Sequence, residues 1–198
     1  MKKQFVVIFF LISAVSFLKS QTKNQHIIGL NVDYSTMPTI INAHLGTNFT
    51  YLYAYKYFCI RAEFGVLPGS NFGTLIKTCL NFGATTNLNN PISFHAVTGI
   101  GGLTATQTFQ YNNFVYDAEI GNVTIDLGVL VRPLKNDRFF LGLDMMLTGY
   151  DVYPKGYMTE PIREKNSFRG KVFFFNLSVN YKINGRKKTD KKDPTGSL

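Results

Sequence analysis

The chain of 198 residues contains no tryptophan, two cysteines and three histidines. Two cysteines cannot build the disulfide framework that holds small secreted domains together. No Cys/His set has the spacing of a metal site, so neither metal nor cofactor is expected. No stretch carries a 3.6-residue apolar stripe with caps, which argues against a helical domain. The longest apolar run, Phe5 to Leu18, is about fourteen residues, short of the roughly 17–25 that a spanning helix needs. Long Lys- and Glu-rich faces, usual on soluble sheets, are missing as well.

The ends account for most of the charge. The chain holds 21 Lys+Arg against 12 Asp+Glu, a formal +9. Lys2 and Lys3 precede the apolar run, and Ser20 offers a small residue for cleavage. Residues 1–20 therefore read as a secretory signal peptide. Residues 185–198 hold Arg186, Lys187, Lys188, Lys191 and Lys192 against Asp190 and Asp193. They have no apolar periodicity and read as a loose basic tail. Residues 21–184 keep 13 bases and 10 acids, so the high pI belongs to the ends and is weak support for nucleic-acid binding.

What fills the body is period-two alternation. In "HIIGLNVDYS", Ile28, Leu30, Val32 and Tyr34 oppose Gly29, Asn31 and Asp33. In "NVTIDLGVLVR", Val123, Ile125, Leu127 and Val129 oppose Thr124, Asp126 and Gly128. In "KVFFFNLSVNYKI", Phe173, Phe175, Leu177, Val179, Tyr181 and Ile183 oppose Asn176, Ser178, Asn180 and Lys182. Eight such segments are expected, each about ten residues. That is longer than the soluble average of five or six and is the length a tilted strand needs to cross a bilayer.

Three features orient the pattern. The polar face is rich in Gly, Asn, Thr and Ser, with Arg61, Glu63, Lys77, Asp126, Asp144 and Arg132 spaced to pair across a narrow lumen. Aromatic residues gather at segment ends, as in "YLYAYKYF" (51–58), Phe139 and Phe140, and Tyr150, Tyr153 and Tyr157, which fits a membrane-interface girdle. Connections alternate in length: "AYK", "TNLNNP" and "PLKNDR" are short, whereas 105–121 and 150–170 are long. Backbone polar groups cannot stay unpaired in lipid, so such a sheet must close on itself. The expected fold is all-β, a transmembrane antiparallel up-and-down barrel of about eight strands over residues 21–184.

The last strand, "FNLSVNYKI", with the signal segment and the amphipathic strands, resembles the small eight-stranded outer-membrane barrels of the OmpA and OmpX type. The Tyr/Asn/Gly-rich style resembles the outer-membrane β-barrel domain family of Bacteroidetes. The resemblance implies a cell outer-membrane location, both termini in the periplasm, and contact with outer-membrane lipid and lipopolysaccharide. It also implies a final strand, with Tyr181 as its aromatic, that is read by the barrel-assembly machinery.

An eight-stranded barrel is just wide enough to be filled by side chains, so an open pore is disfavoured. A monomer with a structural, adhesive or accessory role is expected, with a small-solute channel as the alternative and a lipid-modifying enzyme behind it. Ser93 and His95 share a face, but on the lumen side near the periplasmic end, away from outer-leaflet lipid. Cys59 and Cys79 read as two free, buried thiols; a turn centred on Gly69 would instead make them cross-strand partners and permit a disulfide. In the long loops Tyr111, Phe114, Tyr116, Tyr153, Tyr157, Arg163, Lys165 and Arg169 are candidate contacts for an extracellular protein or glycan.

Overall fold

The computed structural model describes residues 24–133, 138–156 and 166–183. The expected signal segment and basic tail lie outside the described residues. Among the described residues nine strands follow in chain order: β1 (Gln25–Ser35), β2 (Leu45–Tyr55), β3 (Phe58–Ser70), β4 (Gly73–Thr85), β5 (Ile92–Ala105), β6 (Phe109–Tyr111), β7 (Phe114–Val131), β8 (Phe139–Pro154) and β9 (Phe168–Ile183). Every pairing is antiparallel. Eight strands form a closed barrel, because β1 pairs with β9 at one seam and β5 with β7 at the other. The three-residue β6 is a flap that folds back on the start of β7.

The period-two pattern sorts the side chains as its chemistry requires. Leu30, Ile100, Val123 and Leu177 point outward and are 71%, 67%, 64% and 65% exposed, while Asp33, Lys77 and Asp126 point inward and are fully buried. On β9 the outward apolar row runs from Phe173 to Ile183. Ten residue steps at about 3.3 Å and about 40° of tilt cover roughly 25 Å, the height of a hydrocarbon belt. Aromatic residues mark its edge near the strand termini: Phe139 and Tyr181 meet edge-on at 5.2 Å, and Arg138 Nη1 donates to the Tyr181 hydroxyl at 3.0 Å.

Two expectations about connections need correction. The segment 105–121, expected as a long loop, is mostly strand: β5 runs to Ala105, β6 covers Phe109–Tyr111 and β7 begins at Phe114. The segment 150–170 likewise shrinks to a connection over 155–167. Their alternation was concealed because its polarity is reversed. In β7, Tyr116, Ala118 and Ile120 are buried inside while Glu119 is exposed outside. The reversal coincides with a bulge. Ile120 pairs with Tyr150 and Ile125 with Leu147, so residues 121–124 of β7 oppose only 148–149 of β8. Gly121 has φ +126°, and a Cβ there would lie 2.1 Å from the Gly101 carbonyl, so only glycine fits this close approach of β5 and β7.

The cysteine register is the third correction. The β3–β4 hairpin turns around Asn71 and Phe72, with Ser70 opposite Gly73 and Leu67 opposite Leu75. Cys59 therefore faces Gly83 and Cys79 faces Glu63, four residues out of step, and both thiols are free and buried. The turn itself is centred between 71 and 72 rather than on Gly69, and a bulge between Leu67 and Ser70, with Gly69 at φ +79°, shifts the register by one residue.

Candidate functional site

The lumen is organised in three layers, where a uniformly polar interior was expected. At the end bearing Gln25 and Ile183, the apolar side chains of Ile27, Leu52, Cys59, Leu88, Val97, Leu130 and Phe140 meet in one cluster. At the opposite end a larger cluster contains Ile41, Leu67, Phe72, Leu75, Ile120, Met146, Val152 and Phe174. A loop residue corks each end. Ile41, in the β1–β2 connection, is fully buried, and its carbonyl accepts from Asn71 N at 2.9 Å. Leu88, in the β4–β5 connection, is fully buried at the other end. Apolar residues in these connections would be wasteful in water; turned inward, they seal the barrel.

Between the corks lies a belt of charge. Arg61 on β3 reaches three carboxylates: Glu63 at 2.9 Å, Asp126 at 2.7 Å and Asp144 at 2.8 Å. Lys77 on β4 is fully buried between Glu63 at 2.8 Å and Asp33 at 3.0 Å, with its ammonium 5.0 Å from the centre of the Phe174 ring. Glu63 thus bridges the two cations. Asn48 Nδ2 donates to both oxygens of Asp33 at 2.7 Å, and the Thr124 hydroxyl donates to Asn81 Oδ1 at 2.5 Å. Alternation places all these side chains inward, and the register brings them to one level from β1, β3, β4, β7 and β8.

Of the six lumen residues singled out from the sequence, Arg61, Glu63, Lys77, Asp126 and Asp144 meet in this belt. Arg132 does not. It follows β7, its amide donates to Pro91 O at 2.8 Å, and its guanidinium donates to Asn89 O at the barrel mouth. It lies one residue past the end of β7, so the alternation that predicts an inward side chain does not reach it. Asp33 and His95 belong to the belt but were absent from the expected set. Both stand on the polar face of their segments, and only the register of distant strands brings them in. Ser93 donates its hydroxyl to Asn87 O at 2.9 Å, while His95 faces Arg61 and Asp144, so the two side chains serve different partners.

The belt pairs its ions on several sides and ties together side chains from distant strands. Desolvating these ions is costly, and close pairing on several sides is what keeps them charged in this interior.

The second candidate surface is the rim at the end away from the described strand termini. Its aromatic rings form a connected chain: Phe72–Phe109 at 5.6 Å, Phe109–Tyr111 at 6.1 Å, Tyr111–Tyr116 at 6.4 Å, Phe114–Tyr116 at 6.3 Å and Tyr116–Phe168 at 6.0 Å. Tyr116 is buried beneath the flap, whereas Tyr111 and Phe168 are 45% and 40% exposed. Around them Arg169 pairs with Asp151 at 2.9 Å and Lys155 with Asp117 at 3.5 Å, both at exposed positions. Tyr153 stands on β8 opposite Asp117. Tyr157, Arg163 and Lys165 lie outside the described residues.

Outward hydrocarbon, closed pairing and an inward polar belt define a transmembrane β-barrel. No family model matches the chain, and no curated protein matches it. Among solved structures the chain is similar to the outer membrane protein AlkL, studied by solid-state NMR in DMPC lipid bilayers, with 12% identity, 85% of this chain and 94% of that one covered, and a TM-score of 0.52. It is also similar to a de novo designed transmembrane β-barrel, with 12% identity, 83% and 100% covered, and a TM-score of 0.49. OprG from Pseudomonas aeruginosa shows 10% identity, 82% and 96% covered, and a TM-score of 0.48. At these identities the likeness to AlkL speaks to the fold alone.

Proposed function

We propose that the protein is a monomeric outer-membrane barrel without catalytic activity or an open channel, which works through the rim it presents outside the cell, in a structural, adhesive or accessory role. The three-layered filling of the lumen carries this reading. Ile41 and Leu88 close the two ends, and the fully buried Lys77 and Asp126 fill the middle. An eight-stranded wall has no room for a water path beside such side chains.

The orientation rests on the connections. At the end bearing Gln25 and Ile183 they span 56–57, 86–91 and 132–138; at the opposite end the strands run on, and 36–44, the tight turn 71–72, 106–113 and 155–167 join them, so the three longest connections lie at that end. Outer-membrane barrels keep short turns in the periplasm and long loops outside. Both described strand ends then face the periplasm, β9 with Tyr181 is the segment the assembly machinery would read, and the aromatic rim stands at or above the lipopolysaccharide head groups. Exposed Tyr111 and Phe168 beside Arg169 and Lys155 suit contact with an extracellular protein or a glycan.

Planar-bilayer recording of the purified full chain tests this. The expected result is a bare-membrane baseline; steady unit currents would establish the small-solute channel instead. Labelling whole cells with a membrane-impermeant amine reagent tests the orientation, which requires Lys155 and Lys171 to react on intact cells.

A further inference from the structure

The two ends of the barrel differ in charge. Among the described residues, the end with the longer connections carries Lys155, Arg169 and Lys171 against Asp117, Glu119 and Asp151, so its signs balance. Lys155 pairs there with Asp117 and Arg169 with Asp151. The end bearing Gln25 and Ile183 carries Lys56, Arg132, Arg138 and Lys182, and its described residues include no Asp or Glu. The connection 134–137 adds one charge of each sign, Lys135 and Asp137. The chain leaves this same end after Ile183, and residues 185–198 bring five more bases against two acids.

The four described cations serve two places. Lys182 and Arg132 close the mouth: both donate to Asn89, Lys182 through Nζ to Oδ1 at 3.0 Å and Arg132 through its guanidinium to the backbone oxygen. Lys56 and Arg138 are exposed at the edge of the wall, and each stands against a tyrosine. Lys56 Nζ lies 5.5 Å from the centre of the Tyr55 ring, and Arg138 Nη1 donates to the Tyr181 hydroxyl at 3.0 Å. Tyr55 is 42% exposed, and Tyr181 packs edge-on against Phe139 where the outward apolar rows of β8 and β9 stop. Rings at that level sit between hydrocarbon and headgroups, which puts the cations beside them at the depth of lipid phosphates. Solubility alone asks for no cations seated on rings at the hydrocarbon edge. That placement favours the membrane surface over a partner dissolved in the periplasm.

We propose that this end docks on the anionic phospholipid headgroups of the periplasmic leaflet around it. Lys56 and Arg138 take headgroup phosphates at the wall, and the bases that follow Ile183 add to the attraction. The choice of leaflet rests on the orientation given above. Ammonium and guanidinium groups donate to phosphate oxygens in strong, charge-assisted hydrogen bonds. A basic segment beside a membrane span is drawn to anionic lipid by a field that decays over roughly 8 Å at physiological salt. Held this way, the barrel has its height in the bilayer set by charge at one end, while the opposite rim pairs its own charges and stays open to other contacts.

The test offers the full chain, folded in neutral detergent and checked by the heat-modifiability gel shift, an equal mixture of phosphatidylglycerol and phosphatidylcholine. Native mass spectrometry counts the lipids retained. Phosphatidylglycerol is expected in at least about fivefold excess, and Lys56→Asn/Arg138→Gln should cut that excess at least about threefold. Lys155→Gln/Lys171→Gln, at the opposite end, should leave it unchanged. Equal retention of the two lipids by the wild type, which would leave the cations to a soluble acidic partner, overturns the proposal; so does an equal fall in the two double variants. Should the first variant fail to fold, salt decides. The wild-type excess should shrink when ionic strength is raised about tenfold, and a preference indifferent to salt refutes headgroup docking. Amine labelling of Lys56 on intact cells would overturn the orientation and with it the choice of leaflet; the lipid preference is read in solution and stands or falls by itself.

Discussion

The two halves of β7 face the same way and obey opposite rules. From Val123 to Val129 the outward side chains are apolar, and the inward ones include Thr124 and Asp126. From Tyr116 to Ile120 the inward side chains are apolar, and Asp117 and Glu119 point out. The backbone alternation never slips phase between them; the surrounding medium changes. In the lower half the wall meets hydrocarbon and encloses polar groups, as a membrane strand must. In the upper half it meets water and encloses an apolar core, as an ordinary soluble sheet does. The bulge at 121–124 stands at the exchange. β8 and β9 repeat the change, with Leu143 and Phe173 outside below and Asp151 and Lys171 outside above. The molecule is a membrane barrel continued by a short water-soluble one, and the second corks the first.

The largest expected effect comes from the belt of the lower half. Arg61→Met leaves Glu63, Asp126 and Asp144 without their shared cation, and by analogy with broken buried ion pairs it should cost about 3–5 kcal/mol in a reversible urea titration in lipid. Next is the outer wall. Leu177→Arg places a charge near the middle of the apolar row and should cost about 2–4 kcal/mol in the same assay. Gly121→Ala, at the exchange point, forces a Cβ against the Gly101 carbonyl at positive φ and should cost about 1–3 kcal/mol. Glu119→Leu, on the outward face just above it, should change stability by less than about 0.5 kcal/mol. If Glu119→Leu and Leu177→Arg had equal effects, the two halves would not sit in different media.

Most of the lower half was legible in the sequence, because a strand with lipid on one side and packed polar groups on the other writes its two faces as strict alternation. Leu30 against Asp33, or Leu177 against Asn176, needs no other part of the chain to be read. The upper half was missed because an outward Glu119 and an inward Ile120 look like loop composition once apolar-outward is the rule being sought. The cysteine pairing failed for a different reason. Register depends on where a hairpin turns: a turn at 71–72 alone would set Cys59 opposite Ala84, and the bulge between Leu67 and Ser70 brings it to Gly83. The roles of Asp33 and His95 were beyond local reading, since the partners of each lie on strands far away in sequence.

Because the chain contains no tryptophan, a single one can be introduced as an unambiguous reporter. Leu127→Trp and Glu119→Trp place it on the outward face of the two halves of β7. In bilayers with brominated acyl chains, the reporter at 127 should emit in the blue and be strongly quenched, while the one at 119 should emit further to the red and instead be quenched by aqueous iodide. Quenching by acyl bromine at both sites alike, or by iodide at 127, would contradict a wall that passes from lipid to water at the bulge.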